Sequence, residues 1–186
     1  AWVSVDLIGL QLPAIDRVRA QLTDYRYVLV SSTHNHEGPD VIGPWGRSYL
    51  HRGVDDQYVE RVIAQAAHCV RRAEQNLHEA RAAYGTAADS SLLADRRLPV
   101  VKDDVLRLLR FSDPSDGRTL GIVLQWNCHP EALGPDNQLI TADFPAATIA
   151  ALGQRYGCPV VYVTGAVGGL LAPPTDGLRD ERGELL

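Results

Sequence analysis

Three short runs of apolar, largely β-branched residues in this chain stop abruptly at polar or glycine-containing loops, and that arrangement limits the folds open to it. The runs are Tyr27-Val28-Leu29-Val30-Ser31-Ser32, the stretch 119–127 ending in Gln125-Trp126-Asn127, and Pro159-Val160-Val161-Tyr162-Val163. Each reads as a strand with a buried face. The loops that follow them are Thr33-His34-Asn35-His36-Glu37-Gly38-Pro39-Asp40, Asn127-Cys128-His129-Pro130-Glu131 and Thr164-Gly165-Ala166. If the strands lie side by side and run the same way, the loops meet at one sheet edge, where open α/β folds bind their ligands.

Helical signals alternate with these strands. A first strand is expected over 2–9, then a helix over 12–23 with Leu12, Ile15, Val18 and Leu22 at helical spacing and Pro13 in its first turn. Apolar residues three or four apart, from Val59 to Ala80, predict a long helix over 55–83 that Gly85 terminates. Strands over 104–111 and 119–127 form a hairpin through Asp113-Pro114-Ser115-Asp116-Gly117. A helix over 143–155 precedes the last strand. The pattern predicts an α/β layered domain, a mixed β-sheet flanked by helices, with no linker dividing residues 1–186.

Composition removes several alternatives. The chain has 186 residues, 45% of them hydrophobic and 22% charged, which suits a packed core and not wholesale disorder. A net charge of -5 with scattered arginines gives no footprint for nucleic acid. No apolar run reaches transmembrane length. Cys69, Cys128 and Cys158 show no CxxC spacing and are read as small buried residues. Methionine is absent and the chain opens directly in an apolar run. The expectation is therefore an internal segment of a longer protein, incomplete at both ends, with localisation left open.

His34 and His36 are one residue apart, so extended backbone would project both imidazoles to the same side. Such a pair, joined by a distant histidine and a carboxylate, is a common way to build a catalytic zinc site with an open position. His129, after one strand and before a proline, occupies a position like that of His34; taken alone it would read as a loop histidine bonded to backbone. Nearby carboxylates are Glu37, Asp40, Glu131, Asp136 and Asp143. Each is open to a role as ligand, as partner to a histidine, or as turn and helix cap. Asp40 is a candidate to close a turn and Asp143 to cap the next helix. His68 and His78 fall off the apolar stripe of the long helix and read as solvated; His51 is undecided.

Gly165-Ala166-Val167-Gly168-Gly169 after a strand invites a nucleotide-binding reading, but it lacks the Gly-Lys-Ser/Thr of a P-loop and the spacing of GxGxxG. Its glycines fit a tight turn or a close backbone approach.

These blocks resemble a known family. Ser32-Thr33-His34-Asn35-His36-Glu37-Gly38-Pro39 is similar to the Thr-His-Thr-His-Ser-Gly-Pro signature of the neutral/alkaline, non-lysosomal ceramidases. Trp126-Asn127-Cys128-His129-Pro130 with Ile140-Thr141-Ala142-Asp143 resembles their His-Pro segment and the Ser-(Gly/Ala)-Asp after it. Val161-Tyr162-Val163-Thr164-Gly165-Ala166-Val167-Gly168-Gly169 resembles their strand ending in a Gly/Ala turn. The resemblance spans about residues 2–174 and implies that 1–186 is part of an N-terminal catalytic domain.

The resemblance further implies a zinc-dependent amidohydrolase cleaving the amide bond of an N-acyl lipid such as ceramide through a metal-activated water. It makes His34 and His129 Zn2+ ligands and sets His36 beside the metal as a catalytic residue. It also implies a catalytic arginine, with Arg96 the best match and Arg97 nearly as good. The family's remaining glutamate and tyrosine ligands fall beyond Leu186, so the segment alone is expected to be inactive. The partner is then a lipid amide, with peripheral membrane contact through the full-length protein, and the family points to a secreted or cell-surface location. Glu37 and Asn35 depart from the family's Ser and Thr, so the substrate-facing loop differs. A related metal hydrolase of another amide or ester, and a non-catalytic binding module on the same scaffold, are the alternatives.

Overall fold

A computed structural model describes residues 1–48, 50–168 and 171–174. Two compact units, Ala1–Glu79 and Ala80–Leu186, divide the chain at a point that no change of composition announces.

In the first unit, β1 (Trp2–Val5) and β2 (Leu29–Ser32) pair in parallel, joined through α1 (Leu12–Ala20). The first strand is shorter than the 2–9 expected, because the backbone bends at Asp6, where Oδ1 accepts from the Thr33 hydroxyl at 2.6 Å. The long helix α2 (Asp56–Glu74) begins at Asp55, whose carboxylate accepts from Gln57 N at 2.8 Å and Tyr58 N at 3.2 Å. Val3, Val18, Leu22, Val28, Ile63, Ala66, Ala67 and Val70 form the core that unites these elements. Arg17 pairs with Glu60 and Arg71 with Asp24 at its rim, both solvent-exposed enough to contribute little.

The second unit holds a four-stranded mixed sheet in the order β3-β5-β6-β7. Its strands are β3 (Arg81–Ala88), β5 (Val105–Ser112), β6 (Thr119–Trp126) and β7 (Val160–Thr164); β4 (Ala94–Asp95) lies between β3 and β5 in sequence. β5 and β6 form the expected hairpin, with Gly117 at φ +75 in its turn. α3 (Asp143–Tyr156) crosses over to β7, which runs parallel to β6. β8 (Leu171–Ala172) pairs with β4. Leu93, Leu124, Trp126, Cys128, Tyr162 and Leu171 form this unit's core.

The mixed α/β architecture agrees with the sequence, and three expectations are corrected. α2 stops at Glu74, and residues 81–88 are an edge strand, so Gly85 is no helix terminator but sits opposite Leu108. Leu77 is 77% exposed and gives a helix nothing to bury there, whereas β5 offers eight residues of ladder. β2 lies in its own sheet with β1, so of the three expected neighbours only β6 and β7 are paired. Cys69 is exposed and Cys158 half-buried; only Cys128 is in a core. Among the described residues no helix is long and apolar enough to cross a membrane.

Candidate functional site

The exit of β2 is shaped by polar side chains that turn inward. Thr33 and Asn35 are buried, the first bonded to Asp6 and the second accepting from Glu37 N at 2.9 Å through Oδ1. His34 between them has φ +63, a left-handed conformation that costs a residue with a Cβ about 1–2 kcal/mol. The pair is therefore not displayed on extended backbone as the spacing predicts. Even so, the rings of His34 and His36 stand edge to face with centroids 4.8 Å apart. Strain of this kind persists where surroundings over-determine it, and such places are often functional.

Nδ1 of His34 lies 2.6 Å from the carbonyl oxygen of Ile8. A carbonyl can only accept, so Nδ1 carries the proton and Nε2 keeps its lone pair. His36 is exposed. Asp40 does close a turn: Oδ1 accepts from Ile42 N at 2.9 Å and Gly43 N at 2.7 Å. His51 bonds through Nδ1 to the Ser48 hydroxyl at 2.8 Å, and His68 and His78 are exposed.

In the second unit, β6 delivers Asn127, Cys128 and His129 in buried succession. Nδ1 of His129 lies 2.8 Å from the carbonyl oxygen of Leu171, which also accepts from the His129 main-chain N at 2.9 Å. The ring is thereby held in the same tautomer as that of His34, by the same device. Metal-binding histidines characteristically donate their second nitrogen in this way, which fixes the ring and raises ligand basicity. Burial pushes the neighbouring Cys128 thiol up to about 12.

Gly165 follows β7 at a point where a Cβ would collide with the carboxamides of Gln125 and Asn127. This is the close backbone approach expected of the glycine-rich turn. Asp143, at φ +49, opens α3 with Oδ1 accepting from Phe144 N at 2.6 Å and Oδ2 from Leu133 N at 3.2 Å, a role in backbone termination. Arg96 is exposed just beyond β4; Arg97 lines a cavity of about 750 Å³ together with Ala166, Gly168 and Leu171.

His34 and His36 in the first unit and His129 in the second each offer a ring nitrogen of the kind that holds a metal ion. Sequence reasoning named all three. It missed Asn127 and the carbonyls of Ile8 and Leu171; the first had a signal, a polar residue closing an apolar strand, while main-chain carbonyls leave none.

No family model matches the sequence, and no curated protein matches it. Among the solved structures that share its fold are two ceramidases. A neutral ceramidase from Pseudomonas aeruginosa has a TM-score of 0.75 and 19% identity, over 92% of this chain and 31% of that one. A ceramidase complexed with C2 has a TM-score of 0.76 and 17% identity, over 94% of this chain and 31% of that one. The chain thus has the fold of a neutral ceramidase segment and spans about a third of the length of the structures it matches.

Proposed function

We propose that this chain is the histidine-bearing part of a zinc-dependent hydrolase that cleaves the amide bond of an N-acyl lipid such as ceramide. The observation that supports the proposal is the shared fixing of His34 and His129, each donating Nδ1–H to a main-chain carbonyl, which makes Nε2 the ring nitrogen suited to a metal. Neutral imidazole nitrogens are donors that zinc accepts readily. The fold match to ceramidases supports this reaction class.

In this reading His34 and His129 hold the ion. Zinc, when bound, polarises the substrate carbonyl and acidifies a water. His36, exposed beside His34, donates to the carbonyl oxygen as negative charge develops there. Arg96 serves the same oxygen from the connector after β4. Removing one such donor costs about 3–4 kcal/mol of transition-state stabilisation in well-studied hydrolases. The acyl chain and base of the lipid, the remaining ligands and any membrane contact belong to the same proposal.

The test is zinc content and turnover of the intact protein. One zinc per chain is expected, lost in His34→Ala and in His129→Ala, with hydrolysis of N-acyl lipids lost alongside. Full zinc retention in both variants would remove the metal centre. Activity on simple esters alone would remove the amidase assignment, and zinc without hydrolysis would leave a binding module.

A further inference from the structure

We infer that Asn127 is a positioning residue for the ring of His129, acting through the turn after β7 and the carbonyl of Leu171; the inference rests on the metal role proposed for His129. Asn127 is buried at 3% exposure, and each end of its carboxamide is engaged. Nδ2 donates to the Asp103 carbonyl at 3.0 Å. Oδ1 accepts from Ala166 N at 2.9 Å and from Gln125 Nε2 at 2.6 Å.

Around it the network closes. Arg107 donates from Nη1 to Gln125 Oε1 at 3.3 Å and pairs through Nη2 with Asp103 Oδ2 at 2.7 Å. One carboxamide therefore ties the segment before β5 to the end of β6 and to the exit of β7. Gly165 is the price of that closeness, since no side chain fits against Gln125 and Asn127.

The consequence reaches His129, two residues further on. The chain leaving β7 is held at Ala166 by Asn127 and at Leu171 by His129, whose ring and main-chain nitrogens both donate to the Leu171 carbonyl. β8 adds only two paired residues to that hold. Without Asn127 the exit of β7 keeps its Gly165 N–Trp126 O bond at 3.0 Å, but the carbonyl that sets the ring's tautomer is held less firmly. Partners of this kind alter metal affinity about 10–100-fold when removed.

The experiment compares the full-length protein with Asn127→Ala, which removes both ends of the carboxamide. Nitrogen-15 spectra of the metal-free protein, labelled at histidine, read the His129 tautomer, and chelator competition reads zinc affinity. The wild type should show a single Nδ1-protonated form. Asn127→Ala should mix the tautomers and weaken zinc at least about tenfold. A variant that melts at lower temperature but keeps tautomer and affinity would overturn the inference. If Asn127→Ala does not fold, Asn127→Ser, too short to span the same gap, gives the same reading. Tautomer mixing in a protein that takes up no zinc would sink the metal centre and leave this inference standing. Zinc binding indifferent to Asn127 would do the reverse.

Discussion

Nδ1 of His34 stands 2.6 Å from the carbonyl oxygen of Ile8, while the backbone at His34 is left-handed at φ +63. The ring is fixed at the expense of the chain that carries it.

That opposition gives a first prediction. His34→Gly and His34→Ala should both lose the metal, but the metal-free Gly variant should be more stable than the Ala variant by about 1 kcal/mol, since glycine accepts this φ without a Cβ clash. Urea unfolding of the two metal-free proteins measures the difference; equal midpoints would mean that residue 34 is not strained.

Gly165→Ala should destabilise the protein by about 1–3 kcal/mol, because its new methyl group meets the carboxamides of half-buried Gln125 and buried Asn127. Gly85→Ala is the control. Nothing lies within 4 Å of a Cβ there and its φ is not positive, so about 0.5 kcal/mol of stabilisation is expected from the stiffer unfolded chain. Denaturation curves of both variants check the contrast.

The cysteines should separate by reactivity. Burial holds the Cys128 thiol up to about 12, so at about pH 8 it stays protonated and the reactive thiolate is absent. Iodoacetamide should label exposed Cys69 in the native protein and reach Cys128 only in denaturant. Mass spectrometry of the labelled peptides gives the answer, and native labelling of Cys128 would contradict its burial.

Asp55→Ala should cost about 1 kcal/mol, because its carboxylate satisfies the Gln57 and Tyr58 amides at the start of α2. Asp55→Asn should restore most of it. Thermal unfolding followed by circular dichroism distinguishes them.

Much of this arrangement was legible in the residues. The β5–β6 hairpin announced itself through its Asp-Pro-Ser-Asp-Gly turn, and α3 and β7 follow the predicted bounds closely, because local chemistry and burial agree there. The stretch after α2 was misread since Leu77 and Ala80 continue a helical spacing, and only the partner strand β5 decides that 81–88 is extended. His34, His36 and His129 stood out by residue type. The left-handed turn at His34 did not, because it follows from buried bonds at Thr33, Asn35 and Ile8 that no spacing encodes.

Among the described residues β3 pairs with β5 along one side only, and seven of its eight residues are exposed, Tyr84 at 65%. Its other side offers a row of peptide groups to any extended chain that meets it. Association between copies would be expected to begin at such a margin. A lysine in place of Ala83 is the simplest guard against precipitation.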